Sequence, residues 1–110
     1  MPLLERVRVE VYIPDPSQLK YEKLLLSLEE EFTYAFGGCS IVRGLQGSYL
    51  SNRGERIPDR VNLIYSDLPL ALSTRFDAIA SYVEKLKLAA IDSLTEEDVM
   101  IAVEQVYHAV

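Results

Sequence analysis

Sulfur chemistry is almost missing from this chain. Its single cysteine, Cys39, cannot form an internal disulfide, which fits a reducing compartment. Histidine is as scarce. His108 is the only one, so a zinc set built from spaced cysteines and histidines is excluded. Basic charge is also short. Eleven lysines and arginines face seventeen acidic residues, and the formal net charge of −6 repels phosphate backbones. A nucleic-acid partner is therefore not expected. No apolar run approaches the ~20 residues that cross a bilayer. Met1-Pro2-Leu3-Leu4-Glu5-Arg6 lacks the apolar stretch of a signal peptide. A cytoplasmic protein without a membrane partner is expected. Walker loop, dinucleotide fingerprint and serine-elbow motif are absent as well. No metal or cofactor is expected.

What is present is an ordinary globular balance. Hydrophobic residues make up 49% and charged residues 25% of 110 residues, enough for one core and one domain over 1–110. Residues 6–13 alternate strictly. Val7, Val9, Val11 and Ile13 interleave with Arg6, Arg8, Glu10 and Tyr12, which predicts a strand with one buried face. Asp15, Pro16 and Gln18 then form a helix start, with Asp15 as N-cap and Gln18 completing a capping box. Tyr21, Leu24, Leu25, Leu28, Phe32, Ala35 and Phe36 lie at helical spacing, and Gly37-Gly38 ends the helix. Glu29, Glu30 and Glu31 read as its solvated face.

Residues 39–50 and 56–67 read as two arms of a hairpin around the turn Ser51–Glu55. Gly44, Gly47 and Pro58 mark bulges or edges within it, so its tip is expected to project. A second helix is expected over about 70–93, with Leu72, Phe76, Ile79, Val83, Leu86 and Ala90 as its buried stripe. Thr95–Asp98 is a polar connection, and 99–110 close the chain as a β-branched strand. The order βαββαβ predicts a ferredoxin-like α+β sandwich. Two helices cover one face of a four-stranded antiparallel sheet whose central strands are the first and third. The other face stays open. Arg8, Glu10 and Tyr12, with Asn62 and Ile64 of the third strand and Glu104, Val106 and His108 of the last, are expected there.

Gly37-Gly38-Cys39-Ser40, Gly47-Ser48-Tyr49 and Gly54 resemble a Gly-Gly-x-Ser/Thr, Gly-x-aromatic, Gly pattern of small uncharacterised bacterial proteins. The topology and central hairpin also resemble PII-type signalling proteins. That resemblance implies a trimer with a mobile loop between the second and third strands, where Asn52-Arg53-Gly54-Glu55 falls. PII proteins place a glycine-rich phosphate loop before the last strand. Here that place holds Leu94-Thr95-Glu96-Glu97-Asp98, whose three carboxylates repel a triphosphate.

Several residues could carry chemistry. Cys39 follows a glycine pair, but a thiolate needs a base or a positive neighbour, and His108 lies near the far end of the chain. A structural cysteine is the better reading. His108 could share a face with Tyr12, Glu10 and Glu104. Glu96, Glu97 and Asp98 lack EF-hand spacing and read as a solvated loop. Arg43, Tyr49, Arg53, Glu55 and Arg56 fall on the hairpin, where guanidinium groups could clamp an anion or simply pair across strands. The binding candidates are thus Tyr12, Arg43, Tyr49, Arg53, Glu55 and His108, with no catalytic residue assigned. The leading expectation is a non-enzymatic binding or regulatory module, a homo-oligomer with a dimer favoured, contacting a small anionic ligand or a protein. One alternative is a small enzyme of the dimeric α+β barrel type with Tyr12 and His108 in one cavity. The other is a structural adaptor whose hairpin joins a larger assembly.

Overall fold

A computed structural model describes residues 2–15, 18–94 and 99–110. Six elements follow in chain order: β1 (Leu3–Pro14), α1 (Leu19–Phe36), β2 (Ser40–Leu50), β3 (Arg56–Leu68), α2 (Leu72–Leu94) and β4 (Met100–Ala109). The strands form one antiparallel sheet in the order β2-β3-β1-β4, so the first and third strands are central as the crossover rule requires.

Alternation in β1 does what its sequence implies. Val7, Val9 and Val11 are fully buried and Ile13 nearly so. They meet Tyr21, Leu24, Leu25, Leu28 and Phe32 of α1 and Ile79, Ala90 and Leu94 of α2 in a single core. Phe32 is completely buried, which contributes about 2–3 kcal/mol. α1 stops where glycine permits a left-handed residue. Gly37 has φ 89°, and its N–H donates to the Thr33 carbonyl at 2.9 Å.

Four expectations need correction. Asp15 is not the helix cap. Gln18 holds that position, without a side-chain capping bond. Asp15 instead accepts from Asn62 Nδ2 at 3.2 Å and pairs with Arg60 at 3.3 Å; Pro16 lies outside the described residues. Asn62 and Ile64 point at the helices, not away from them, and are buried. Register is the reason: Ile64 lies opposite Val11, a core residue, so the open face of β3 carries Val61, Leu63, Tyr65 and Asp67. Phe76 is 62% exposed. Arg75 departs from helical angles (φ −125°, ψ 23°) and breaks the periodicity of α2 just before it. Ala35 is exposed too, because α1 has already reached its last turn. The expected polar connection Thr95–Asp98 lies outside the described residues.

Asn62 is buried because it has work to do on the covered side. The β2–β3 register shifts between Val42 and Leu45, leaving an extra residue in β2. Gly44 takes φ 69° in that bulge, and its N–H donates to Asn62 Oδ1 at 2.9 Å. One side chain thus satisfies a bulge and ties Asp15 down. Beyond the bulge the hairpin outruns the sheet. β1 pairs with β3 only as far as Pro14 opposite Val61, and the Asp15 N–H makes a last bond to the Arg60 carbonyl at 3.0 Å, so residues 56–59 pair with β2 alone. This two-stranded arm helps stretch the molecule to 47 × 28 × 24 Å. Its turn is closed by the Gly54 N–H on the Ser51 carbonyl at 2.9 Å, with φ 77° at Gly54.

Candidate functional site

The sheet face away from the helices has a polar end and an apolar end. At the polar end, Arg8 grips Asp67 with two bonds, Nε to Oδ1 at 2.7 Å and Nη2 to Oδ2 at 3.0 Å. The two residues face each other across β1 and β3, which sets up the fork. Arg8 also lies 4.4 Å from the centroid of the Tyr65 ring, and Glu104 is its cross-strand neighbour on β4. His108 Nε2 sits 2.8 Å from Asp67 Oδ2. The Arg8 bond holds the Asp67 carboxyl below the usual carboxylate range against burial, and the His108 contact adds to it. Arg8 is correspondingly pushed up by Asp67.

At the apolar end, Tyr12, Leu63, Val61, Val42, Leu45, Ala102 and Met100 share the uncovered face. Met100 is 58% exposed. The Tyr12 hydroxyl donates to Glu10 Oε2 at 3.3 Å, and burial, then the Glu10 charge, raise the Tyr12 pKa. Where the arm leaves the sheet, Tyr12, Pro14, Tyr49, Asp59, Val61, Lys87, Val99 and Met100 line an open hollow of about 740 Å³.

The structure separates most of the residues that the sequence singled out. Tyr12 and Tyr49 do come together in that hollow. His108 does not join them. It lies eight residues along β4 from Met100, the partner of Tyr12, or about 26 Å at ~3.3 Å per residue. A cavity lined by both Tyr12 and His108 is therefore excluded. Arg43 leaves the hairpin group as well. Its guanidinium binds Glu22 of α1 at 2.7 and 3.3 Å on the covered side, and this bond lowers the Glu22 pKa. Arg53 and Glu55 sit at the arm's tip, where their backbone N–H groups donate to Ser51 Oγ at 3.3 and 3.1 Å. Cys39 packs against the core beneath the helices, with Sγ 4.0 Å from Thr33 Oγ1. His108 is on the opposite face. Among the described residues no group of three His, Cys, Asp or Glu is placed to hold a metal ion.

Sequence reasoning passed over the Arg8–Asp67–His108 group. The signal was present in part: Arg8 sits at a non-core position of a strictly alternating strand. Its acidic partner is fifty-nine residues away, and only register reveals the pairing.

No family model matches the chain, and no curated protein does. Solved structures do share its architecture. The divalent cation tolerance protein Cut A1 from Thermus thermophilus superposes with a TM-score of 0.57 at 17% identity, over 92% of this chain and 82% of that one. A phage SAM lyase solved with S-methyl-5′-thioadenosine gives 0.57 at 12% identity, over 96% and 90%. The PII-like protein CPII from Thiomonas intermedia K12, bound to ADP, AMP and bicarbonate, gives 0.51 at 12% identity, over 99% and 100%. The fold is ferredoxin-like. The resemblance to PII-type proteins read from the hairpin and element order thus extends over the full chain as a likeness of fold. No helix among the described residues is long and apolar enough to cross a membrane.

Proposed function

We propose that this chain is a binding or regulatory module that works as a homo-oligomer, joined through the open sheet face and the projecting arm. The observation that carries this reading is the apolar end of the open face. Val42, Val61, Leu63 and Met100 have no helix over them, and Tyr49 and Leu50 on the adjoining arm are 54% and 72% exposed. An isolated two-stranded arm is marginal in water. Covering it and the apolar face with a second copy removes apolar surface from water at about 25 cal/mol per Å². A two-fold dimer is the simplest closed arrangement.

The hollow between Tyr12 and Tyr49 shares Tyr49, Val61 and Met100 with that contact surface, and it is the proposed ligand site of this module, roofed by the second copy. Its walls are mainly aromatic and aliphatic, with one charge of each sign, Asp59 and Lys87, among them. The lyase and the PII-like protein were solved with adenosine compounds, so those compounds are the first probes. A purely structural adaptor role rests on the arm alone and predicts no ligand.

Light scattering combined with native mass spectrometry tests the reading. A particle of two or more chains is expected, reduced to one chain by Leu63→Glu. A wild-type protein that stays monomeric at high micromolar concentration would sink it. Loss of assembly in Leu63→Glu with retained melting behaviour would separate the contact from the fold.

A further inference from the structure

The two outer edges of the sheet are built differently. β2 bounds one side, and its edge is broken by the bulge at Gly44 and weakened again by Gly47. β4 bounds the other side. Its residues, Met100–Ala109, include no proline, glycine, lysine or arginine. They pair with β1 without a break, from Met100 opposite Tyr12 to Ala109 opposite Leu3. Sheet edges that stay unpaired in water are blunted by bulges, prolines or lysines. β4 has none of these devices, and no strand among the described residues pairs with its outer side.

One hydrogen bond fixes which residues face outward. The Val110 N–H donates to the Pro2 carbonyl at 3.2 Å. Bonded pairs alternate along an antiparallel ladder, so the even-numbered residues of β4 bond to β1. Ile101, Val103, Gln105, Tyr107 and Ala109 therefore turn their N–H and C=O groups to the outer edge. A second β4 running antiparallel meets that edge with the same pattern. Outward residues bond only to outward residues, so a two-fold axis must pass through a residue and not between two. Glu104 decides which one. It lies on the open face, where His108 is the only other polar side chain of β4. Centring on Glu104 sets carboxylate against carboxylate, which is repulsive. Centring on Gln105 sets Glu104 against Val106. Only centring on Val106 sets Glu104 of each copy against His108 of the other. His108 Nε2 is held by Asp67 at 2.8 Å, which leaves Nδ1 for that contact. On the helix side the same register covers Tyr107, 54% exposed, with Gln105 of the second copy.

We propose that the outer edge of β4 joins the β4 of a second copy about a two-fold axis at Val106, and that this contact links two open-face pairs into a four-chain particle. The contact makes one continuous sheet with four strands from each copy. Residues 102–110 of both chains take part, with about eight main-chain hydrogen bonds between them. Each such bond replaces bonds to water and adds little by itself, so one edge does not hold two single chains together. The four-chain particle therefore rests on the open-face assembly proposed above. An open-face pair presents two β4 edges, and closing the first brings the second within reach. The edge axis stands perpendicular to the sheet and the open-face axis lies along it, so the two combine into a closed four-chain symmetry.

Light scattering and native mass spectrometry of the full chain read the particle. Four chains are expected for the wild type and one for Leu63→Glu. Two are expected for Gln105→Pro, which removes an outward N–H where a sheet edge tolerates proline. Should that variant melt early, Tyr107→Lys serves instead, because it brings two lysines together across the axis. Register is read by oxidative crosslinking of Val106→Cys, Gln105→Cys and Glu104→Cys, each in a Cys39→Ala background. Val106→Cys is expected to link two chains at least tenfold faster than either of the others, since its two copies face each other at a Cα separation of about 4.5 Å. A wild type of two chains, unchanged by Gln105→Pro and reduced to one by Leu63→Glu, would overturn the edge contact and leave the open-face reading standing. Two chains separated by Gln105→Pro but not by Leu63→Glu would instead sink the open-face reading, and the four-chain particle with it. Fastest crosslinking at Gln105 or Glu104 would remove the Glu104–His108 register.

Discussion

The two faces of this sheet are made by alternate residues of the same strands, yet they are held by different forces. The covered face is a dry core, with Val7, Val9, Val11, Ile13, Ile64 and Leu68 packed under two helices. The open face carries Arg8, Asp67, Tyr65 and His108 at one end and bare aliphatic side chains at the other. What separates them is the parity of position within a strand, which dictates which side chains meet helices and which meet water or another molecule. Stability should therefore depend on one face and association on the other.

The sharpest way to test that division is in the core. Phe32→Ala should cost about 3–5 kcal/mol in chemical unfolding, because it leaves a cavity at the centre of the covered face. Asn62→Ala comes next, at about 1–3 kcal/mol. It strips the Gly44 N–H of its acceptor at the bulge and leaves Asp15 with Arg60 alone. Preserved stability in that variant would show that the bulge does not need its buried amide.

Asp67→Asn probes the polar end of the open face. The Asp67 pKa is lower in the folded chain than in the unfolded one, so the folded state is favoured by deprotonation. Its contribution is present above the unfolded carboxylate value of about 3.9 and disappears as pH falls through the lower folded value. The substitution should cost about 1–2 kcal/mol at neutral pH and flatten the acid limb of the stability curve. An unaltered acid limb would show that the Arg8 and His108 contacts carry no weight. The smallest effect is expected for Glu22→Gln. The Glu22–Arg43 pair is exposed on both sides, and thermal melting should barely register its loss.

The hairpin region shows how far local sequence reading reaches. Gly54 and the polar run around it marked the turn, and Gly44 marked the bulge, because each needs a positive φ that other residues resist. Gly47 and Pro58, read as bulge or edge, mark edges: both pair in register, Gly47 on the edge strand β2 and Pro58 on the part of β3 that β1 does not reach. The same reading grouped Arg43 with Arg53 and Glu55, since all three are close along the chain. Arg43 lies at the root of the arm and reaches back to α1, while the other two sit at the tip. Likewise Phe76 fitted the helical spacing of α2 but lies outside the core, because a single departure at Arg75 shifted the phase.

Sequence alone determined the order of elements, the buried face of β1, the helical stripe of α1 and the glycine that ends it. Each of these is fixed by contacts or dihedral preferences within a few residues. Tertiary structure decided the rest: which side chains of β3 face the helices, that Arg8 finds Asp67 and His108, and that Tyr12 and Tyr49 line one hollow. Those outcomes depend on strand register and helix spacing, which are set by the packing of residues far apart in the chain and leave no mark in any short stretch of it.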